Sequence, residues 1–292
     1  MRILVSGGQG QVGTALAAMG VERGWDLIAL GRSEFDVTDV TSISEAFKKY
    51  QPGLLINAAA YTAVDQAESE EKLAYAINEM ATALLANACR EAKIPMLHIS
   101  TDYVFDGDKD ELYTEEDQVN PLAVYAKSKE AGERALRAGL ERYIILRTSW
   151  VFGLYGTNFV KTMLRAAKIH GQLRVVDDQV GGPSSAQGIA AALFGIAARY
   201  EQTGDVAWGT YHYCQKPYVS WYRFAQVIIE QATQMGLLDH DVEVLPIPSS
   251  AFPTPVSRPK NSRLCTSHFE STFRHECGNW IDELQNILRA FV

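Results

Sequence analysis

Arg2-Ile3-Leu4-Val5-Ser6-Gly7-Gly8-Gln9-Gly10-Gln11-Val12-Gly13 is the stretch that decides the fold. A short apolar run, a cluster of glycines and a helical pattern from Val12 to Gly24 read as strand, tight turn and helix. Gly7, Gly10 and Gly13 fit G-x-x-G-x-x-G, while Gly8, Gly10 and Gly13 fit G-x-G-x-x-G. Glycine lets backbone approach a pyrophosphate closely, and the N-terminus of the following helix attracts its negative charge. In this setting the motif predicts a dinucleotide site on Gly7, Gly10, Gln11, Val12 and Gly13.

The chain beyond it keeps alternating. Asp26–Leu30 reads as a second strand, and the residue at its end selects the cofactor. An acid there grips the ribose 2′-hydroxyl of NAD, whereas an arginine accommodates the 2′-phosphate of NADP. Gly31-Arg32-Ser33 has no acid before Glu34, which predicts NADPH through Arg32 and leaves NADH use open. Asp36 and Val37 follow, placed to hold the adenine. Thr38 and Asp39 are expected to cap a helix over Ile43–Tyr50. Leu54–Asn57 is a buried strand running into Ala58, Ala59 and Ala60, small enough for a cofactor to lie against. Ser69 is expected to cap a long helix to Lys93, with Glu70 and Glu71 in its first turn. Met96–Ser100 is a strand ending at Thr101, and His98 within it reads as a core histidine.

Tyr143–Leu146 is the fifth strand. Strands alternating with helices predict an α/β fold with a Rossmann-type, doubly wound parallel sheet. Ligands then sit at the carboxyl ends of strands, where Gly7, Ala58, Thr101 and Thr148 fall. Residues 1–150 are expected to form the cofactor domain. Residues 151–292 are expected to be mainly a smaller C-terminal substrate-binding lobe, with some chain returning to the sheet. In that half, helices are predicted over 158–170 and 218–235, a strand over 173–176 and a turn over 178–183. The span from Pro246 to Pro259 holds five of the ten prolines and reads as an extended loop.

Tyr125 and Lys129 stand four apart in a helical run from Pro121 to Ala138, which puts them on one face. A phenol titrates near pH ~10 and holds its proton too tightly for neutral-pH transfer. An ammonium within about 4–6 Å would lower that value. The pair therefore reads as a proton donor, Tyr125, and its tuner, Lys129.

Composition bounds the rest. A chain of 292 residues, 47% hydrophobic and 21% charged, is an ordinary globular protein with room for a main domain and a smaller lobe. A net charge of -8 argues against nonspecific nucleic-acid binding, which needs a basic face. The four cysteines form no C-x-x-C and the six histidines no H-E-x-x-H, so no metal site is expected. No signal-peptide layout and no membrane-spanning run are seen, and a cytoplasmic location is expected.

Several separate motifs stand in order along the chain. They are the Gly7–Gly13 loop, Asn57-Ala58-Ala59-Ala60-Tyr61-Thr62-Ala63-Val64-Asp65 and Ser100-Thr101-Asp102-Tyr103-Val104-Phe105-Asp106-Gly107. Tyr125–Lys129, Arg147-Thr148-Ser149-Trp150-Val151-Phe152-Gly153 and Arg258-Pro259-Lys260-Asn261-Ser262 complete them. With these the chain resembles the extended short-chain dehydrogenase/reductases over nearly its whole length, and among them the rhamnose-forming branch. The resemblance implies NADPH-dependent reduction of the C4 ketone of dTDP-4-dehydro-6-deoxy-L-mannose to dTDP-L-rhamnose. It implies Thr101, Tyr125 and Lys129 as the catalytic set, with Tyr125 and Lys129 also on the cofactor and Tyr61 beside it. It implies Thr101, Asp102 and Trp150 at the sugar, and Arg258 and Asn261 at the nucleotide. Arg258, Lys260 and Arg263 form a basic cluster suited to a pyrophosphate. Some relatives are magnesium-bridged dimers held by glutamates, one just after the third motif glycine. Thr14-Ala15-Leu16-Ala17 has no acid there, so a monomer or a homodimer without bridging magnesium is expected.

The nearest rivals share the fold. Sugar-nucleotide 4,6-dehydratases carry a second acid after the threonine-acid pair, where this chain has Tyr103. Epimerases are set aside only by the resemblance, and reductases of other 4-keto nucleotide sugars stay open. A non-catalytic, NADP-binding regulatory subunit like that of methionine adenosyltransferase is the rival from another class.

Overall fold

The computed structural model describes residues 1–291. In chain order, the first part holds β1 (Arg2–Ser6), α1 (Gln11–Glu22), β2 (Asp26–Leu30), α2 (Val40–Tyr50) and β3 (Leu54–Asn57). Next come α3 (Glu71–Tyr75), a π-helical turn (Ala76–Met80), α4 (Ala81–Ala92), β4 (Met96–Thr101), α5 (Val124–Gly139) and β5 (Tyr143–Thr148). The second part holds β6 (Val151–Phe152), α6 (Phe159–Ala167), β7 (Gln172–Val176), β8 (Val180–Gly181), β9 (Ser184–Ser185) and α7 (Ala186–Thr203). It ends with β10 (Gly209–Tyr213), β11 (Val219–Ser220), α8 (Trp221–Gln234), β12 (Glu243–Ile247), β13 (Asn261–Ser262), α9 (Ser267–Phe273) and α10 (Trp280–Arg289).

The main sheet has six parallel strands in the order β10-β5-β4-β3-β1-β2. Apolar side chains on both faces explain why its strands read as continuous hydrophobic runs. Ile3, Val5, Ile56 and Leu146 pack under α1 and α7 on one face. Leu4, Leu55, Met96 and Ile145 pack under α2, α4 and α5 on the other. A third core joins α6, α8 and α10 around Phe152, Phe224 and Trp280.

The two halves are interleaved. β10 closes the sheet beside β5, with Gly209–Tyr213 registered on Ile144–Thr148. α7 covers α1, and Trp25 stacks on Phe194 at 5.5 Å. Chain from 186 to 213 therefore belongs to the cofactor half.

Several local expectations need correction. Ser69 does not cap the long helix; its hydroxyl donates to the Gln66 carbonyl in the preceding turn, and Glu70 stands at the helix start without a side-chain cap. That helix is one run from 71 to 92 interrupted by the π-turn. Asp39 caps α2 by accepting from the Thr41 N–H at 2.9 Å, but the Thr38 hydroxyl donates to Asp36 instead. The predicted turn over 178–183 contains β8, which pairs with both β11 and β13. Pro246 lies within β12, an edge strand whose partner is β7, where a missing N–H is tolerated.

Candidate active site

Backbone and small residues build the first cavity. Gly7 has φ +71, and a Cβ on it would lie 2.6 Å from the Ala59 nitrogen. A Cβ on Gly13 would lie 2.1 Å from the Gly7 carbonyl oxygen. The turn and α1 thus close on β3 only if both residues are glycine. Gly10 stands at the N-terminus of α1 with no side-chain cap, leaving first-turn N–H groups to face the cavity. The cavity has a volume of about 270 Å³, with Gly7 and Gly10 on one side and Ala58, Ala59 and Ala60 on another. Arg32, Asp36 and Val37 close its far end.

Two side chains of the glycine loop are engaged away from the cavity. The Val12 side chain is in the core, so only its backbone can meet a ligand. The Gln11 side chain accepts from Asn158 Nδ2 at 3.0 Å and ties the loop to the second half. Arg32 is exposed and lies 3.9 Å from Asp36. The Thr38 hydroxyl and N–H hold the Asp36 carboxyl below its ordinary value, so Asp36 stays ionised beside the arginine. The Tyr61 hydroxyl donates to Glu70 at 2.9 Å, and its N–H donates to Asn78 Oδ1 at 2.9 Å.

The sequence candidates for chemistry meet at the end of β4. Tyr125 is 9% exposed, with its ring edge-on to Tyr103 at 5.8 Å. Thr101 accepts from the Tyr103 N–H at 3.2 Å and donates to Asp102 Oδ1 at 3.1 Å. Lys129 is 2% exposed, and its Nζ donates to the Ile99 carbonyl at 2.8 Å.

The electrostatics differ from the expectation drawn from the pair alone. Burial pushes the Tyr125 phenol up to about 12, and the Thr101 hydroxyl is the neighbour that pulls it down. Burial brings Lys129 itself down to about 8, against an upward pull from Glu133. Thr101 is thus the neighbour whose hydrogen bond favours the ionised form of Tyr125, and a buried lysine near neutrality carries less charge to act with. Burial also pushes Asp102 up to about 6, against the pull of the neighbouring Ser262 and Thr101 hydroxyls.

α5 is held in place from below. Glu133 accepts from Arg147 Nε at 2.9 Å and Nη2 at 2.7 Å, from Arg137 at 2.6 Å and from the Ser100 hydroxyl at 2.6 Å. Burial works to raise that carboxyl, but Arg147 and the other donors keep it below its ordinary value. Asn78, in the π-turn, donates to the Tyr61 carbonyl and to Ser128 Oγ at 2.9 Å. One amide thus joins the cofactor-side loop to the helix carrying Tyr125 and Lys129, consistent with π-turns marking functional sites. A polar residue inside the apolar run 73–89 was the available signal for Asn78, and the sequence reading passed it over.

A second cavity, of about 320 Å³, opens beside Tyr103 and is lined by Asp65, Arg174, Gln179, Trp221 and Arg258. Arg258 donates to Asp65 at 2.6 Å. Trp150 sits at φ +48, rare for a bulky residue, and stacks on Trp221 at 3.6 Å with 9° between planes. A Cβ on Gly181 would meet the Trp150 ring at 2.5 Å, so glycine there makes room for the stack. The basic cluster expected here does not converge. Arg263 bonds to Asn261 Oδ1 and the Asp110 carbonyl, and Asn261 Nδ2 donates to the carbonyls of Lys109 and Glu111. Asn261 holds the 107–111 loop, whose carbonyls would otherwise be unsatisfied, and lends no free amide to a ligand. Arg174 and Trp221, both missed in the sequence, take the places at the cavity. Neither stands in a local motif.

Among the described residues, seven buried side-chain polar atoms lack a hydrogen-bond partner. Four belong to this region: Asp65 Oδ1, Asp102 Oδ2, Thr148 Oγ1 and Arg258 Nη1. Such atoms are costly unless a partner completes them, so their gathering marks a polar binding site. No helix among the described residues is long and apolar enough to cross a membrane.

The RmlD substrate binding domain model matches residues 1–292. A dTDP-4-dehydrorhamnose reductase of Aggregatibacter actinomycetemcomitans is 43% identical, covering 99% of each chain. A crystal structure of the Clostridium acetobutylicum dTDP-4-dehydrorhamnose reductase superposes with a TM-score of 0.92 at 36% identity, covering 100% of this chain and 99% of that one. The Bacillus anthracis enzyme, solved in complex with NADP, has a TM-score of 0.90 at 32% identity, covering 99% of each. With a full-length family match and full-length relatives beside the glycine cradle and the Thr101–Tyr125–Lys129 cluster, the chain belongs to the RmlD substrate binding domain family of extended short-chain dehydrogenase/reductases.

Proposed function

We propose that this protein reduces the C4 ketone of dTDP-4-dehydro-6-deoxy-L-mannose to dTDP-L-rhamnose with NADPH, the last step of dTDP-rhamnose formation. The observation that carries this reading is the position of Tyr125 and Thr101. Tyr125 packs against Tyr61, which follows Ala60 of the first cavity, and against Tyr103, which lines the second, and Thr101 accepts from the Tyr103 N–H. The full-length dTDP-4-dehydrorhamnose reductase relatives supply the substrate, and the NADP held by one of them supports the cofactor.

Bound NADPH supplies the hydride to C4. The first-turn N–H groups of α1 and the Gly7–Gly13 loop would hold its pyrophosphate. Arg32 would hold the 2′-phosphate, with Ala58, Ala59 and Ala60 against the dinucleotide. Lys129 would meet the nicotinamide ribose hydroxyls. As C4 takes the hydride, negative charge grows on the carbonyl oxygen. Tyr125 donates its proton to that oxygen as general acid, and the Thr101 hydroxyl hydrogen-bonds it. With its pKa pushed up to about 12 by burial, Tyr125 is protonated throughout neutral pH, and the Thr101 hydroxyl is the neighbour that eases release of that proton. Asp102 and Arg258, each with an unpartnered atom, would bind the sugar hydroxyls and the diphosphate.

Purified protein assayed with dTDP- and UDP-linked 4-keto sugars should consume NADPH in step with dTDP-L-rhamnose formation. NADP(H) binding without turnover of any 4-keto sugar would make the protein a non-catalytic binder and end this reading.

A further inference from the structure

Lys129 ends a chain of buried hydrogen bonds that the mechanism above does not use. Ser6, Asn57 and His98 are register partners on β1, β3 and β4, so their side chains share one face of the sheet. Asn57 Oδ1 accepts from the Ser6 hydroxyl at 2.7 Å and from the Ala59 N–H at 3.1 Å. Asn57 Nδ2 lies 3.0 Å from His98 Nδ1, and His98 Nε2 lies 3.3 Å from Lys129 Nζ. Ser6, Asn57, His98 and Lys129 are all buried.

These contacts decide where the protons are. A backbone N–H can only donate, so the Asn57 atom facing Ala59 is the oxygen. The Asn57 NH₂ therefore donates to His98, and Nδ1 presents its lone pair. A neutral imidazole then carries its proton on the other nitrogen, and Nε2–H points at Lys129. His98 is neutral, because burial, helped by Lys129, holds its pKa well below the usual value. An amine can accept the Nε2–H hydrogen. An ammonium has three N–H groups and no lone pair, and cannot.

We propose that His98 is a positioning residue for Lys129: fixed as its Nε2–H tautomer by Asn57, it donates to the lysine amine and disfavours the ammonium. The titratable groups around Lys129 are Tyr125 and Glu133, one turn before and one turn after it on α5, and His98 on β4. Glu133 favours the ammonium, but Arg147 and Arg137 share its charge. Burial, against the pull of Glu133, brings Lys129 down to about 8, and a donated Nε2–H acts in the same direction as burial. The effect is a lysine that exchanges its proton near neutral pH. The amide that sets it also anchors the Ala59 N–H at the edge of the cofactor cavity. The proposal rests on the reductase reading only for what Lys129 serves, since tautomer and titration are properties of the protein alone.

Nitrogen-15 NMR of histidine-labelled, cofactor-free protein reads the tautomer directly, and carbon-13 labelling at lysine Cε reads the Lys129 midpoint. The expected result is an unprotonated Nδ1 and a protonated Nε2 through neutral pH. His98→Leu should raise the Lys129 midpoint by on the order of half to one pH unit. Loss of a polar neighbour by itself would lower it, so the direction is diagnostic. Asn57→Asp offers only acceptors to His98, and should invert the tautomer and raise the lysine midpoint as well. A wild-type Nδ1–H tautomer or imidazolium would overturn the proposal, as would an unchanged or lowered midpoint in His98→Leu. If His98→Leu does not fold, the wild-type tautomer and Asn57→Asp decide. A failed reductase assay would leave these readouts standing, so the two readings fail separately.

Discussion

The cofactor cavity and the substrate-side cavity are built on opposite plans. The first is shaped by atoms that are missing: Cβ groups at Gly7 and Gly13 would collide with backbone at 2.6 and 2.1 Å. The second is shaped by large side chains, among them Trp221, on which Trp150 stacks, and by Asp65 and Arg258, each with a polar atom that has no protein partner. The difference teaches where change is tolerated. Backbone cradles fail by steric overlap, whatever the new side chain, whereas side-chain cavities fail group by group.

The comparison breaks most visibly between the two cavities, at Tyr125. Tyr125→Phe should lower kcat by roughly 10²–10⁴-fold, the usual share of general acid catalysis, while NADPH binding measured by fluorescence stays near normal. A variant with near-normal kcat would remove Tyr125 from proton transfer.

A crossed pair tests the two plans. Overpacking at Gly13→Ala should cost about 1–3 kcal/mol, hence roughly 5–150-fold in NADPH affinity. Arg258→Ala should leave NADPH binding alone and raise substrate KM by roughly 10–100-fold, as for loss of a charge-assisted hydrogen bond. Calorimetry on both variants with both ligands should show the crossed pattern. Equal effects on both ligands would mean that the cavities are not independent.

Asp102 sharpens the contrast through stability. Its folded pKa of about 6 lies above its unfolded value near ~3.9. The folded state therefore holds this proton more tightly, and stability is lost as pH rises through the folded value. Asp102→Asn removes that loss, and should stabilise the protein by roughly 3 kcal/mol at about pH 8, falling to little near pH 4. Denaturant melts across this range check it. Substrate KM should rise in the same variant.

The smallest effect is expected at Arg32, an exposed residue. Arg32→Ala should raise the NADPH KM by roughly 3–10-fold, about 1 kcal/mol, with little change for NADH. Equal changes would show that Arg32 does not read the 2′-phosphate.

The same contrast explains what could be read from the chain. The glycine loop, the strand ends and the Tyr125–Lys129 spacing are local patterns, and local geometry carries them. The parallel sheet followed from strand and helix alternation. The substrate side joins residues 65, 103, 174, 221 and 258, and no local pattern marks them as neighbours. The carbonyl partners of Asn261 and Arg263 were not legible, because a polar residue in a loop looks alike whether it faces ligand or carbonyl. Helix spacing shows the proximity of Tyr125 to Lys129 but not the depth of burial that shifts both groups. The Ser69 cap failed because a preceding turn claimed its hydroxyl first.

The return of α7 and β10 to the sheet bears on recombination. A chimera joined at residue 150 would take its first half from one parent and the cover of α1 from the other. The seam would run through a fully buried core, where Leu193 and Ile196 meet Leu16 and Val5. A working exchange of sugar specificity between relatives would need two crossovers, keeping 186–213 with the parent that supplies 1–150.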